Sequence, residues 1–334
     1  MDASLPPPVP PAYKNRRTGL VVFGIFAIII GAICALFVPL MIVGQILTAR
    51  KVGAEVDPSA AVISAGVYAL MAVVMIWLGV GSILARRWAR ALLLCLGWLG
   101  LITGLIAMPA VLVVLNSIGD TLQAQGQAVT AGQLLIVKVI MIATTFVIYI
   151  VIPGIAVLFY RSPHVKHTVE VRDPVERWTD RCPLPVLALV LLKGFGALSL
   201  LLMIPLYGRA FPLAGQVVTG GVARLLWLIV FAFMAYATWG FYRLDRQAWR
   251  VYLIGAVVLW VSSIATFLRI GVMEYYREAG MPQHQLDLMA SNPLLTSSSL
   301  LGISIAGAAL YFGYLFYVRR FFTAVKDRPA AAGG

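Results

Sequence analysis

Residues 18–49 read TGLVVFGIFAIIIGAICALFVPLMIVGQILTA, an uncharged run held between Arg16-Arg17 and Arg50-Lys51. A helix of about 20 apolar residues crosses the ~30 Å hydrocarbon layer of a bilayer, so this run is long enough to span. In hydrocarbon each backbone N–H and C=O needs a partner inside its own segment, and a helix supplies one. The run is far longer than the apolar core of a signal peptide and lacks a convincing small-x-small site after it, so it reads as an anchor. For the same reason Arg16-Arg17 is not read as a twin-arginine export signal.

Seven more runs follow. The second lies between Asp57 and Arg86, the third between Arg90 and Asp120, and the fourth from Gln133 to Tyr160 with Lys138 inside it. The fifth runs from Pro185 to Tyr207 and contains Lys193; the sixth covers Gly220 to Tyr242, the seventh Val251 to Ile270, and the eighth lies between Asp287 and Arg319. Composition agrees: 61% of residues are hydrophobic and 12% charged, too apolar for a chain that hides its apolar surface in water alone. The expected fold is therefore an all-α polytopic membrane helix bundle with about eight transmembrane helices.

The formal charge of +13 does not point to nucleic acid, because the basic residues sit at the ends of apolar runs and form no continuous face. With the N-terminus in the cytoplasm and the spans alternating, 19 of the 26 Lys and Arg fall on the cytoplasmic side, counting Lys193. Lys and Arg are costly to translocate in short loops, so the split predicts an inner-membrane protein with both termini cytoplasmic. The expected partners of that charge are membrane lipids, with anionic headgroups at the cytoplasmic face. A crowd of aromatic side chains, Tyr311, Tyr314, Phe316, Tyr317, Phe321 and Phe322, surrounds Arg319 and Arg320 and reads as an interfacial anchor.

Two tryptophan triads suggest a duplication. Trp77, Trp88 and Trp98 are matched by Trp239, Trp249 and Trp260 at a shift of about 161, with Gly79 matching Gly240. Both middle tryptophans sit in short basic turns. The expected organisation is a disordered Pro-rich tail (1–17), a four-helix half (18–160), a cytoplasmic linker (161–185), a second four-helix half (186–322) and a C-terminal tail (323–334). Both halves start in the cytoplasm, so the repeats are parallel. Two sizeable outer loops, Asn116 to Gly132 and Gly271 to Pro293, each follow the third helix of a half.

The chemistry is sparse. No Asp, Glu or His lies in a proposed span, which argues against carboxylate-coupled ion transport and paired axial His ligation of haem. There is no phosphate loop and no nucleophile elbow, so no cofactor is expected. His164 and His167, with Cys182 further along the linker, have part of a metal set, but Pro163 and Pro174 interrupt the region and a fourth ligand is missing; they are read as solvated. Cys34 and Cys95 lie in apolar runs, and no pair of cysteines suggests a disulfide framework or a CxxC site.

Candidate contacts for a substrate or a lipid headgroup are Lys193, Lys138, Arg224 and Arg269. Such residues commonly snorkel, laying the stem in the bilayer and the charge at its surface. Lys193 is accordingly expected to point to the cytoplasmic interface, with Lys193→Met nearly silent. Gly100-xxx-Gly104 and Gly302-xxx-Ala306 permit close helix approach, and Pro39, Pro109, Pro153 and Pro205 are potential kinks.

The stretch from Pro163-His164-Val165-Lys166 through Trp178-Thr179-Asp180-Arg181-Cys182-Pro183, together with Arg86-Arg87-Trp88-Ala89-Arg90, resembles bacterial multi-pass membrane proteins. The resemblance covers the linker and one hairpin turn. It implies a bacterial inner membrane and carries no activity or site residue. The function expected from the sequence is that of a non-enzymatic accessory or assembly component of a membrane complex with a possible protein partner in the membrane. The alternatives are a transporter or channel for a small or amphipathic solute, and a membrane enzyme acting on lipid through polar linker or outer-loop residues.

Overall fold

The structure, a computed structural model, describes residues 13–52, 58–124, 130–207, 209–281, 283–290 and 297–323. Among them are eight helices long and apolar enough to cross a membrane, and the protein is an all-α polytopic helix bundle. The spans are carried by α1 (Arg17–Val52), α2 (Pro58–Ile83), α3 (Arg87–Ala124), α4 (Ala131–Phe146) continued through a π-turn into α5 (Ile152–Arg161), α7 (Leu184–Tyr207), α8 (Gly220–Tyr242), α9 (Arg246–Ile270) and α12 (Ser297–Thr323). Three short helices lie between spans: α6 (Pro163–Arg172), α10 (Val272–Glu278) and α11 (Gln283–Ala290). Residues 1–12 and 324–334, which make up most of the two expected tails, lie outside the described residues.

The chain divides into two compact units. The first comprises Met1–Leu101 and Val151–Arg181, the second Ile102–Ile150 and Cys182–Gly334. In the first unit α1 and α2 pack through small residues. A Cβ added to Gly24 would lie 2.7 Å from the carbonyl oxygen of Gly79, and one added to Gly79 would lie 2.6 Å from that of Gly24. Both obstacles are backbone and cannot swing aside. Without an apolar driving force between helices in lipid, such close approach is what holds a pair together. Ser82 adds a polar tie: its hydroxyl donates to the Leu20 carbonyl at 2.9 Å and lies 2.7 Å from the Tyr160 hydroxyl, with all three residues buried.

The motif at Gly100 and Gly104 marks a real close approach. A Cβ on Gly100 would lie 3.0 Å from the Pro153 ring. Gly104 faces the carbonyl of Tyr149, four residues before Pro153, whose missing N–H denies that carbonyl its ordinary helical partner. The π-turn at Val147–Val151 is the expected local response, since it shifts pairing to the N–H five residues on. Gly302 has open space where a Cβ would stand, so among the described residues Gly302 makes no close helix contact.

In the second unit, α7 and α8 are joined by a β-hairpin, β1 (Ala210–Leu213) and β2 (Gln216–Thr219), which the sequence reading lacks. Leu213 pairs with Gln216, and the two turn residues, Ala214 and Gly215, have φ of 46° and 88°, the left-handed pair of a type I′ turn. Phe211 is buried edge-to-face on Trp227 at 4.8 Å. The turn amides of Ala214 and Gly215 donate to Ser262 and Thr266 of α9 at 2.8 and 3.0 Å.

The α2–α3 and α8–α9 turns match bond for bond. Arg86 N–H donates to Gly81 O and Ala85 N–H to Ser82 O; 159 positions on, Asp245 N–H donates to Gly240 O and Leu244 N–H to Phe241 O. Ala85 and Leu244 both take positive φ, 52° and 59°, closing each helix as a Schellman turn. Gly81 packs on Ala89 as Gly240 packs on Ala248. Matched turn to turn, Gly81 corresponds to Gly240 and Trp88 and Trp249 stand two places apart, whereas the tryptophan spacing pairs Gly79 with Gly240 and Trp88 with Trp249. Trp88 stacks on Trp77 at 4.1 Å, whereas Trp249 is buried and donates to the Leu315 carbonyl.

Candidate functional site

Two arrangements of buried charged side chains stand out among the described residues, one in each unit. In the first unit the arrangement arises from a helix start. The N–H groups that open a helix lack partners within it. The residue before α9 is Asp245, and its own carboxylate accepts from Gln247 N–H at 2.8 Å. The equivalent residue before α3 is Arg86, which has no acceptor to offer. The linker supplies one. Asp173, 2% exposed, accepts from Arg87 N–H at 3.3 Å and from Arg177 Nη2 and Nε at 2.8 and 3.3 Å. Arg86 Nη1 stands 3.7 Å away.

The Arg177 hydrogen bonds, the Arg87 amide and the nearby guanidinium charges hold the Asp173 carboxyl below the usual carboxylate range, against the opposing effect of burial. Asp180 closes a second arm, 3.9 Å from Arg87 Nη1 and accepting from Arg177 N–H. The linker up to Arg181 is thus a folded clasp over the first turn of α3.

Residues 13–16 are tied to the same segment. Arg16 N–H donates to Thr168 Oγ1 at 3.1 Å and Lys14 N–H to His164 Nδ1 at 3.3 Å. His167 stacks on Tyr13 at 4.4 Å. Two of the three considered metal ligands are therefore engaged in packing. The third, Cys182, is buried, and burial pushes its thiol up to about 12, far from the thiolate a metal needs. Among the described residues no group of three or more His, Cys, Asp or Glu side chains is placed to hold a metal ion.

In the second unit the arrangement centres on Lys193. It lies nine residues into α7 from Leu184, about 14 Å along the helix. Lys193 is 2% exposed. Nζ donates to the Tyr311 hydroxyl at 2.7 Å and lies 3.2 Å from the ring centroid of Tyr252 and 4.7 Å from that of Phe241. The two phenol oxygens are 2.5 Å apart. The ammonium is thus enclosed by rings from α8, α9 and α12, a cation–π setting. The side chain expected to reach the interface is instead buried, because three aromatic side chains surround its tip and a π-face with one hydroxyl substitutes for water.

The other three candidates do not join it. Arg224 and Arg269 are exposed and lie 17 residues from Phe241 on α8 and from Tyr252 on α9, about 25 Å along each helix. The Arg269 side chain lies over the hairpin turn, 3.2 Å from where a Cβ on Gly215 would stand. Lys138 is half-buried, seven residues into α4, and no hydrogen bond or ion pair to it occurs among the described residues. Sequence reasoning identified Lys193 but missed Phe241, Tyr252 and Tyr311, and missed Asp173 altogether as a capping residue. The one available signal for Asp173 was the absence of Asp, Ser, Thr or Asn before α3.

No family model, curated protein or solved structure matches the chain. Functional roles therefore rest on the geometry.

Tyr311→Phe strands the ammonium without an oxygen and should destabilise the protein by about 1–3 kcal/mol. Lys193→Met removes the buried charge together with its desolvation cost and leaves the Tyr252–Tyr311 bond, so its stability should equal or exceed wild type. Thermal unfolding in detergent compares them. Lys193→Met less stable than Tyr311→Phe would mean that cation–π attraction outweighs desolvation.

Asp173→Asn should cost about 1–3 kcal/mol near neutral pH, the range for hydrogen bonds to a buried charged group. Because the folded carboxyl is held below its unfolded value of about 3.9, its contribution is complete above that value and disappears as pH falls through the folded one. The difference in Tm between wild type and Asp173→Asn should be constant from neutral pH down to about 5 and shrink below about 4. A difference independent of pH would show that the cap works without its charge.

Proposed function

We propose that this integral membrane protein is a non-enzymatic accessory or assembly component of a membrane complex, seated in a bacterial inner membrane with both termini in the cytoplasm. The observation that carries this reading is the fourth span. Over Ala131–Arg161 the most apolar stretch has 0% of its residues buried within the chain. Ile136, Val139 and Ile140 are 60%, 56% and 58% exposed, and Lys138 sits among them. A helix that buries so little of itself offers a lateral face for a second membrane protein. The bias of Lys and Arg toward one side supports the orientation, and the matched α2–α3 and α8–α9 turns support a duplicated origin of two parallel halves.

A second reading, transport of a small or amphipathic solute, has the inward-turned Lys193 on its side. The close packing of rings around its ammonium favours a structural role for that residue instead.

A photo-crosslinking residue at position 136 or 140, activated in native membranes, is expected to give one discrete protein adduct. Adducts to lipid alone would refute the accessory role. Cysteine at position 125 or 285 should react with an impermeant reagent from outside, and cysteine at 88, 170 or 325 should not. External reaction at 170 would overturn the orientation and leave the crosslinking result untouched.

A further inference from the structure

At one end of the second unit α8 turns into α9 and α12 finishes, and basic residues gather there. Residues 182–273 and α12 hold one acid, Asp245, and its carboxylate is taken by the Gln247 amide of its own helix. Against it stand Arg243, Arg246, Arg250 and Arg319, all exposed and none in an ion pair among the described residues. Arg243 lies on the Trp239 ring of α8 at 4.6 Å. The other three stand at the head of a seam between α9 and α12.

Spacing and ring contacts define that seam. On α9, Arg246, Trp249, Leu253, Val257 and Trp260 follow one another at steps of three and four, and Arg250 stands one turn after Arg246, so they share a face. Phe312, Phe316 and Arg319 do the same on α12. The two faces meet. Trp249 lies edge-to-face with Phe316 at 6.0 Å and Trp260 with Phe312 at 6.5 Å, and the Trp260 indole donates to Ser304 at 3.0 Å. The Trp249 indole is fixed on the Leu315 carbonyl, and the Arg319 guanidinium lies 5.6 Å from the centre of its ring. Phe316 is 54% and Val257 39% exposed, so the seam is open to what surrounds the protein.

Charge and depth say what fills it. A ring face steadies a guanidinium without consuming its N–H edges, which stay available for an acceptor. Phosphate oxygens match that fork, and no carboxylate of these helices competes for it. Below the arginines the seam is aromatic and aliphatic. Trp249 and Trp260 are 11 residues apart, about 16 Å along the helix. That is close to half of the ~30 Å hydrocarbon layer, the depth of one leaflet. A free phosphate would leave this apolar length bare, whereas a lipid covers both parts.

We propose that the seam between α9 and α12 binds an anionic phospholipid. Arg246, Arg250 and Arg319 hold its phosphate, and one acyl chain lies along Phe316, Val257 and Trp260. This rests on the membrane placement of the chain, not on its accessory role, its orientation or a duplicated origin.

The test titrates the full-length protein in detergent with phosphatidylglycerol or phosphatidylcholine and counts bound lipid by native mass spectrometry. One phosphatidylglycerol should bind in preference to phosphatidylcholine. Arg250→Gln should weaken it roughly fivefold, and the triple Arg246→Gln, Arg250→Gln, Arg319→Gln variant roughly a hundredfold. Arg224→Gln makes the same charge change at the opposite end of α8 and should leave binding unchanged. Phosphatidylglycerol with a diazirine midway along one acyl chain should crosslink to the peptides that hold Val257 to Trp260 or Phe312. Equal binding of the two lipids, or an equal loss with Arg224→Gln, would overturn the proposal. So would crosslinks spread over all the spans, or competition by chain-free glycerophosphoglycerol at the concentration of the lipid, because a phosphate alone would then suffice. A diazirine residue at position 257 that captures protein and no lipid in native membranes would overturn it as well. The lipid preference and the lipid crosslink are read on the unaltered protein, so a variant that fails to fold does not remove the test.

Discussion

A backbone placed in hydrocarbon must satisfy its own hydrogen bonds, and several irregular features among the described residues supply partners for backbone groups that a helix or strand leaves over. Pro153 removes a donor from the fourth span, and a π-turn beside a glycine-lined approach of α3 takes up the freed carbonyls. The β-hairpin turn is held on the last two turns of α9 by two hydroxyls, which accept the turn amides that strand pairing leaves over. The start of α3 borrows a carboxylate from a segment more than 80 residues away in sequence. Regular helices need none of these devices. They cluster where the chain turns or where proline interrupts it.

Lys193 obeys the same logic with a charge in place of an amide. A lone ammonium in a span normally reaches for water. Here the tip of the side chain meets Tyr252, Phe241 and Tyr311 first. Four helices contribute to that contact.

The clasp connects the first unit's surface to its spans. Asp173 and Asp180 draw the linker onto the first turn of α3, and Thr168 and His164 receive the backbone that leads into α1. The same folding buries Asp173 at the start of α3 and leaves Val171 and Val175 exposed.

The sequence by itself determined the membrane class, the number of spans and their limits, because a run of about 20 apolar residues has few alternatives in water or lipid. It also exposed Lys193 as unusual, since a basic residue in a span is rare whatever surrounds it. Tertiary structure alone decided what Lys193 touches, because its ring partners lie on three other helices and carry no shared local pattern. It decided that Asp173 is a cap and not a solvated linker charge, because the amide it serves belongs to Arg87. It also set the matching of the two basic turns at Gly81 and Gly240. Tryptophan tracks the membrane interface on any helix, whereas a left-handed residue closing a helix fixes register by hydrogen bonds that composition does not encode.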